Sequence, residues 1–439
     1  MTQQRVLVIG QTDIGRRMCW LLQARGVAVV HLDDPSDSEI RTLLEADFSA
    51  VAVLMHDDIR ALRYAMTVEH LRPGIRLFAT IFGRTVRAQL SAQVPNSVVM
   101  SPAAISVPSM VAAAIEPTSD AIRRLSGPFQ KEWVAIADGE PYTITRYTAP
   151  LRLRLRGLLG ILRGQLRPYD RGTGVLLLGA LGLAVVTTLD TWVGTRHDSL
   201  LVALHDAVLT TTTITTPEIE KNTAQLLWST SAALLAMVFT AMFGAGIVHH
   251  LLEGRHIGII GRRVAPKSGH VIIAGMGQVG IRLAQELREL GVAVVCVEQR
   301  SDAPTLPIAK TLGIPVIIDS ASSQAGLKRA GIKGAHALVA AGSDERDNIA
   351  IAIAARAASP EINLVLRAGS DDAIDETRSL FRIGKAVDVN ALTAAFVAQA
   401  VVSDHPYLAL HAEHDIVVID ERGAVVGSAP SHTQWCTCS

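Results

Sequence analysis

Two long apolar runs in the middle of the chain constrain the fold more than any other feature. The first run, residues 173–194, carries no charge before Asp190, and the second, residues 224–252, contains no acid and no lysine. A helix needs about 20 such residues to cross the hydrocarbon core of a bilayer, and Trp192 and Trp228 suit a membrane interface. The pattern predicts two membrane-spanning helices, and the alternative is a pair of buried core helices.

The charges beside these runs predict their orientation. Residues 151–172 contain six arginines, residues 249–267 are also basic, and the segment between the two runs is net acidic. Because cytoplasmic flanks carry an excess of Lys and Arg, we expect a multi-pass protein of the plasma or inner cell membrane with both termini in the cytoplasm. The Leu-Arg alternation at 151–156 is open to two readings, a strand or a patch that binds anionic lipid.

Composition limits the other partners. Lys+Arg and Asp+Glu number 41 each, so no basic excess indicates a nucleic-acid partner. Four cysteines suit a reducing compartment; Cys436 and Cys438 in the tail could hold a soft metal, but no metal site is predicted. The N-terminal residues MTQQRVLVIG read as a first strand rather than as a cleaved signal peptide.

Residues 269–300, GHVIIAGMGQVGIRLAQELRELGVAVVCVEQR, read as a strand, a glycine-rich turn, an amphipathic helix and a second strand. Gly275, Gly277 and Gly280 form the Gly-x-Gly-x-x-Gly fingerprint, which gives a tight turn, room for a pyrophosphate and close helix packing. Glu298 ends the second strand, where an acid accepts hydrogen bonds from ribose hydroxyls. These residues predict a dinucleotide site, and the alternative is a doubly wound domain with an empty crevice.

The strand-helix pattern continues beyond this unit and adds candidate ligands at strand ends. Asp319 and Ser343 each follow a strand, and Arg367 lies near the end of NLVLRA; open parallel sheets bind ligands at the carboxyl ends of their strands. Singly, each of these residues could equally be an ordinary loop or cap residue. The residues predicted to bind the cofactor are Gly275, Met276, Gly277, Gln278, Val279, Gly280, Glu298, Asp319, Ser343 and Arg367.

The N-terminal part of the chain repeats this plan with an altered turn. In QRVLVIGQTDIGRRMCWLLQARGVAVVHLDD, Gly10 and Gly15 match the outer glycines, while Thr12 replaces the middle one. A Cβ at that position obstructs close approach of the backbone to a pyrophosphate. We therefore expect a degenerate or differently liganded copy, with Asp33 as its ribose-type acid.

Five segments carry a resemblance to a known family: VIIAGMGQVGIRLA, VVCVEQ, VIIDSAS, LKRAGIKGAHALVAAGSDERDNIAIAIAAR and NLVLRA. They resemble the RCK domain of TrkA-N type, which regulates potassium channels and transporters. The N-terminal part resembles a divergent RCK domain. The resemblance implies a crevice that binds NAD(H) or an adenine nucleotide (ATP or ADP). It also implies that these domains pair and assemble into a ring that acts on pore helices.

The predicted fold is α/β plus α-helical membrane: two Rossmann-like, doubly wound RCK domains flank a two-helix pore domain with a re-entrant pore helix. Only a short hairpin is expected after the second RCK domain. The predicted domains are 1–120 (N-terminal RCK-like), 121–172 (hairpin and Arg-rich linker), 173–252 (pore domain), 253–268 (linker), 269–402 (RCK) and 403–439 (hairpin and tail). Within the pore domain the predicted helices are 173–194, 198–213 and 224–252.

Two spans before an RCK domain resemble the two-helix potassium channels, whose filter reads T-V-G-Y-G-D. Thr213 and Ile214 match its first positions and Glu218 keeps the acid, but Thr215 and Pro217 replace both glycines. Proline fixes φ and a β-branched threonine resists positive φ, so we expect no multi-site potassium filter. Threonine hydroxyls and a ring of Glu218 would line a wider constriction for cations. The filter-equivalent residues are Thr213, Ile214, Thr215, Thr216, Pro217 and Glu218.

Gly244 and Gly246 in the second run lie where the inner helices of the resembled channels bend during gating, so they are the candidate gating hinge. The alternative is close helix packing, since small residues are common where membrane helices meet. The sequence leaves the two readings open.

The leading prediction is a homotetrameric channel for monovalent cations that is gated by a nucleotide bound to its RCK ring and is not strictly selective for potassium. The alternative is a non-conducting, membrane-tethered nucleotide sensor or regulatory subunit. An NAD-dependent enzyme is disfavoured, because no nucleophile and base pair is apparent beside either Rossmann-like unit.

Overall fold

The computed structural model describes residues 4–125, 132–166, 171–194, 208, 223–253, 259–260, 266–369, 384–403, 406–412 and 415–430. The chain divides into two compact units, with boundaries at Ile161 and Ile259. Residues 1–161 and 259–439 form one unit, and residues 162–258 form the other. The filter-equivalent residues 213–218, nearly all of the predicted pore helix 198–213 and the cysteine pair of the tail lie outside the described residues.

The N-terminal domain is a parallel five-stranded sheet in the order β2-β1-β3-β4-β5. Strands such as AVAVL are apolar throughout because both faces of a parallel sheet are covered by helices. Its elements are β1 (Arg5–Ile9), α1 (Asp13–Ala24), β2 (Ala28–Leu32), α2 (Asp37–Leu44), β3 (Ala50–Leu54), α3 (Asp58–Leu71), β4 (Arg76–Thr80), α4 (Arg84–Gln93), β5 (Ser97–Met100) and α5 (Pro102–Ile115).

After α5 the chain forms an antiparallel sheet and then a helix. The sheet has three strands, β6 (Ala121–Arg124), β7 (Trp133–Ala137) and β8 (Thr143–Tyr147), which is one more than the predicted hairpin. The helix is α6 (Leu151–Leu166), so the Leu-Arg alternation at 151–156 does not form a strand. Leu153, Gly157 and Gly160 are buried along it, and this spacing of four and three residues places them on one helical face.

The second compact unit contains two helices at the positions of the predicted spans, α7 (Arg171–Gly194) and α8 (Thr223–Glu253). Val175–Trp192 and Thr230–Val248 are long and apolar enough to cross a membrane. The two helices pack through glycines: a Cβ at Gly246 would lie 2.5 Å from the Leu176 Cβ, and one at Gly179 would lie 2.6 Å from the Phe243 nitrogen. This contact favours packing over a hinge for Gly246, whereas a Cβ at Gly244 would meet nothing within 4 Å.

The C-terminal domain is a seven-stranded sheet whose parallel strands run in the order β12-β11-β10-β13-β14-β15, with β9 antiparallel at one edge. This is the Rossmann order 3-2-1-4-5-6, which reverses direction between β10 and β13. Its elements are β9 (Ile259–Ile260), β10 (His270–Ala274), α9 (Gln278–Glu289), β11 (Ala293–Glu298), α10 (Leu306–Leu312), β12 (Val316–Ile318), α11 (Gln324–Arg329), a 3₁₀ turn (Ile332–Gly334), β13 (Ala337–Ala340), α12 (Glu345–Ala358), β14 (Asn363–Ala368), β15 (Lys385–Asp388) and α13 (Val389–Val402).

Three further strands follow α13, where a two-stranded hairpin was predicted. They are β16 (Leu408–Ala412), β17 (Asp415–Ile419) and β18 (Val425–Pro430), and they form an antiparallel sheet. Buried residues of this sheet and of β6–β8 share one apolar cluster that includes Ile136, Tyr142 and Leu410.

The two Rossmann-like domains pack together with approximate twofold pairing of their helices. The first helix of each domain contacts the last helix of the other, α1 against α13 and α9 against α5, and the two last helices also meet. One apolar cluster therefore runs through both domains. The arrangement is that of an isologous dimer built within one chain, and it brings the carboxyl ends of both sheets to a common cleft.

Candidate functional site

A cleft of about 1050 Å³ lies between the two Rossmann-like domains at the carboxyl ends of their strands. On the C-terminal side it opens at the point where the strand order reverses between β10 and β13. Ligands of doubly wound domains bind at this position because the loops of the two neighbouring strands diverge there. The cleft is therefore the candidate ligand-binding site.

The turn after β10 has the geometry that its three glycines predict. Gly275 adopts φ +93°, and a Cβ there would lie 2.9 Å from the Gly342 nitrogen on the next loop. Gly280 packs its Cα against the Gly275 carbonyl oxygen, which brings α9 close to the strand. A Cβ at Gly277 would meet no heavy atom within 4 Å, so this residue borders open space in the cleft.

The start of α9 is left available to a ligand. Gly277 is its N-cap residue and supplies no side-chain hydrogen bond to the first turn. The first N–H groups of a helix have no partner within the helix, and together with the helix dipole they favour an anion. The α9 N-terminus therefore presents backbone donors toward the cleft, as a pyrophosphate requires.

Glu298 lies at the end of β11 with its carboxylate fixed by two backbone donors. Its Oε2 accepts a hydrogen bond from the Met276 nitrogen at 2.7 Å, and its Oε1 accepts one from the Arg300 nitrogen at 3.0 Å. The residue is 9% exposed and lines the cleft. A carboxylate has about four acceptor positions, so lone pairs remain for hydroxyl donors of a ligand.

Two of the predicted ligand residues act behind the cleft rather than in it. Met276 is buried. Its backbone carbonyl accepts a hydrogen bond from the Thr305 hydroxyl, and its backbone N–H donates one to the Glu298 carboxylate. Gly280 supports the turn through its contact with Gly275. The other predicted residues line the cleft together: Gly275, Gly277, Gln278, Val279, Glu298, Asp319, Ser343 and Arg367.

Asn348 organises the loops beyond β13 and β14, and sequence reasoning missed it. Its side-chain amide bonds both backbone groups of Gly342 at 3.0 Å and donates to the Arg367 carbonyl at 3.0 Å. Burial lowers the pKa of the Arg367 guanidinium, an effect that the nearby Asp388 carboxylate opposes. The Asp319 carboxylate forms an ion pair of 3.2 Å with Arg329. Asp319 therefore also positions the loop after β12.

The opposite wall of the cleft comes from the N-terminal domain. Its residues follow β1, β3 and β4, and they were not predicted because one sequence does not reveal which domain faces another. Asp58 accepts hydrogen bonds from the Phe82 nitrogen at 2.9 Å and the Gly83 nitrogen at 2.6 Å, and Asp57 caps α3. The wall residues are Asp13, His56, Asp57, Asp58, Ile59 and Phe82.

The altered turn of the N-terminal domain is closed by its own side chains. The Thr12 hydroxyl accepts a hydrogen bond from the Gly15 nitrogen at 3.1 Å and donates one to the Leu54 carbonyl at 3.0 Å. The His31 ring lies 3.0 Å from the Gly10 carbonyl oxygen, and Asp33, the predicted ribose-type acid, lies 3.7 Å from His31. Thr12 therefore supplies the α1 N-terminus with the cap that Gly277 does not give α9.

A family model described as the TrkA-N domain matches residues 271–391. Potassium channel protein 1 of Methanocaldococcus jannaschii is 25% identical over 114 residues, 26% of this chain and 34% of that protein. An uncharacterized protein of Methanothermus fervidus is 29% identical over 117 residues, 27% of this chain and 18% of that protein. The matches therefore span about a fifth to a third of the length of these relatives.

Solved structures extend the likeness of fold to most of the chain. The GsuK RCK domain has a TM-score of 0.51 at 16% identity and covers 91% of this chain and 77% of its own. The GsuK channel bound to NAD has a TM-score of 0.52 at 16% identity and covers 91% of this chain and 64% of its own. These values establish a shared fold, and the family match confirms the resemblance found in the sequence: residues 271–391 are a TrkA-N (RCK) domain.

Proposed function

We propose that this chain is the subunit of an RCK-regulated cation channel in which a dinucleotide or adenine nucleotide bound in the cleft controls the pore. The observation that carries the proposal is the uncapped, open N-terminus of α9 at Gly277 beside the fixed carboxylate of Glu298. The same chain supplies two helices long enough to cross a membrane. A regulatory rather than a catalytic role is proposed for the cleft.

The ligand groups follow from the chemistry of the wall that the C-terminal domain supplies. The pyrophosphate of NAD(H), or the phosphates of ATP or ADP, would lie on the N–H groups at the start of α9. The remaining lone pairs of Glu298 would accept hydrogen bonds from ribose hydroxyls. The neighbouring structure of the GsuK channel bound to NAD supports NAD(H) as the first ligand to test.

The position of the cleft suggests how binding is transmitted. Because both domains contribute walls, a ligand that contacts both stabilises one spacing of the walls over another. A ligand shifts an equilibrium only by its differential affinity for the two states. In the proposed homotetramer, rings of these domain pairs would convert that difference into a force on the membrane helices.

The proposed pore uses residues 213–218 in place of a potassium filter. Without the two glycines of T-V-G-Y-G-D, threonine hydroxyls and the Glu218 carboxylates would coordinate hydrated monovalent cations less selectively. The same replacement by Thr215 and Pro217 favours a second candidate, a membrane-tethered nucleotide sensor or regulatory subunit whose pore does not conduct.

Binding is tested on the full-length protein in detergent or nanodiscs by calorimetric titration with NAD⁺, NADH, ATP and ADP. We expect saturable binding of one of these ligands and at least a tenfold loss of affinity in Glu298→Gln, which removes the charge beside the ribose site. Asp33→Asn, at the equivalent position of the N-terminal domain, is the matched control and should leave affinity unchanged. Absence of binding by all four nucleotides would overturn the proposed ligand class.

A further inference from the structure

Helix α6 has two opposite faces, and one of them holds the TrkA-N domain. The Lys267 nitrogen donates a hydrogen bond to the Gly160 carbonyl at 3.1 Å, and a Cβ at Gly157 would lie 2.9 Å from the Ala293 Cβ. With Leu153, which is buried, these glycines form the inner face of α6. Their missing side chains allow the helix backbone to approach the starts of β10 and β11.

The outer face of α6 carries leucines that the described residues of the protein leave uncovered. They are spaced by four, three, one and three residues, which places them on a single stripe of a helix. The exposed fractions are 67% for Leu151, 49% for Leu155, 58% for Leu158, 54% for Leu159 and 55% for Leu162. A helix on the surface of a soluble protein has the reverse arrangement, with its large apolar side chains facing the protein core.

Charges beside this stripe are of one sign. Arg152, Arg154 and Arg156 are exposed, and residues 151–166 contain no acid. Residues 167–170 alone separate the end of α6 from the start of α7, the first helix long enough to cross a membrane. Leucines on one face, flanking arginines and a separation of four residues in sequence from an apolar span are the features of a helix that lies in a membrane interface.

We propose that the outer face of α6 binds the surface of a bilayer that contains anionic lipid. The leucines enter the boundary between headgroups and acyl chains, and Arg152 and Arg156 contact the phosphates of anionic headgroups. A second copy of this face cannot supply the complementary charge, since it carries arginines and no acids. The glycine face of the same helix contacts the TrkA-N domain. This inference requires that α7 and α8 cross the bilayer, but it is independent of whether the pore conducts.

The test measures contact with lipid in the full-length protein in nanodiscs. Leu158→Cys is labelled with an environment-sensitive fluorophore after Cys436 and Cys438 are replaced by serine. Cys19 and Cys296 are buried, and burial raises the pKa of the Cys19 thiol to about 12, so these thiols stay unlabelled. Ile353→Cys on α12, also about half exposed at 51%, is the matched control site.

We expect spin-labelled lipid to quench the label at position 158 at least threefold more than the label at position 353. Equal quenching at the two sites would overturn the proposal. If the labelled protein is not quenched at position 158 and the unlabelled Leu158→Cys protein forms intermolecular disulfides under oxidising conditions, a second copy of the chain covers the face and the proposal is wrong.

A second arm tests the charge of the lipid. Quenching at position 158 should fall at least twofold when phosphatidylglycerol is replaced by phosphatidylcholine, and also in Arg152→Gln/Arg156→Gln with phosphatidylglycerol present. Arg422→Gln, in the turn before β18, should have no effect. Quenching that changes neither with the charge of the lipid nor with substitution of the two arginines would contradict recognition of anionic headgroups.

Discussion

Arg17 and Asp388 form a buried ion pair of 2.7 Å that joins the two Rossmann-like domains. Arg17 belongs to α1 of the N-terminal domain, while Asp388 ends β15 and caps α13 of the TrkA-N domain through the Ala391 nitrogen at 2.8 Å. Burial raises the pKa of the Asp388 carboxyl, and the Arg17 guanidinium opposes that effect. The pair therefore places a charged contact at the apolar junction of α1 and α13.

Removal of one partner should destabilise this junction more than removal of both charges. Arg17→Leu leaves the Asp388 carboxylate buried without its cation, and breaking such a pair costs about 3–5 kcal/mol. Arg17→Leu/Asp388→Asn keeps an N-cap acceptor without the charge and should recover at least half of the lost stability. Thermal unfolding of the full-length protein followed by tryptophan fluorescence measures both. A double variant no more stable than Arg17→Leu would contradict the claim that the unpaired Asp388 carboxylate causes the loss of stability.

Substitution of Gly277 and of Thr12, one at a time, should separate nucleotide binding from stability. Gly277 has extended backbone angles, φ −67° and ψ −171°, which threonine adopts without strain. Gly277→Thr should cap α9 as Thr12 caps α1, occupy the ligand space and weaken nucleotide binding at least tenfold while the protein stays folded. Calorimetric titration with the nucleotide that binds the unmodified protein, together with a thermal melt, measures both effects.

Thr12→Ala is the reciprocal control. Loss of an N-cap hydroxyl costs about 1 kcal/mol, so the melting temperature should fall while the nucleotide affinity stays the same. If Thr12→Ala weakened binding as much as Gly277→Thr, the two turns would share one ligand and the roles assigned here would be wrong.

The two glycines of α8 should respond differently to substitution. Gly246→Val places methyl groups where Leu176 lies, so it should disrupt the packing of α7 against α8 and lower the melting temperature in detergent by several degrees. Gly244→Ala fills open space and should be tolerated. Equal sensitivity of the two sites would contradict close packing as the role of Gly246.

Acid should destabilise the TrkA-N domain through His270. This side chain is buried at the start of β10 and hydrogen-bonded to the Ala330 carbonyl at 2.7 Å. Burial lowers its pKa from 6.5 to about 4. As the pH falls below 6.5, the unfolded chain takes up a proton that the folded chain excludes, so the free energy of unfolding declines until about pH 4, by an amount on the order of 3 kcal/mol.

His270→Gln, which keeps an N–H donor for Ala330, isolates this contribution. The difference in melting temperature between pH 7 and pH 5 should be smaller in the variant than in the unmodified protein. An unchanged pH dependence would show that His270 is not the group that titrates.

The parts of the fold that depend on short-range pattern could be predicted from the sequence. The glycine turn at 275–280 and Glu298 indicated the strand, helix and strand that the structure shows, because each residue satisfies a local backbone requirement. The two apolar runs likewise indicated α7 and α8 to within a few residues. The position of Thr12 indicated that the first turn differs, although not that its hydroxyl would cap α1.

What depends on contacts between distant segments could not be predicted. The wall formed by Asp57 and Asp58 faces the TrkA-N domain because of helix pairing between domains, and that pairing leaves no periodic signal in either segment. Each small sheet has three strands where a hairpin was predicted, for a related reason. The apolar cluster that includes Ile136 and Leu410 joins residues distant in sequence and becomes evident only once both sheets are packed.

Ion flux in proteoliposomes tests the central claim most directly. Full-length protein is reconstituted at defined density, and the flux of K⁺ and Na⁺ is followed with and without NAD⁺, NADH, ATP or ADP. We predict flux of both cations that changes at least fivefold with the nucleotide that binds, and that loses this response in Gly277→Thr. Protein that binds nucleotide and carries no cation flux under any of these conditions would contradict the channel and leave the membrane-tethered sensor.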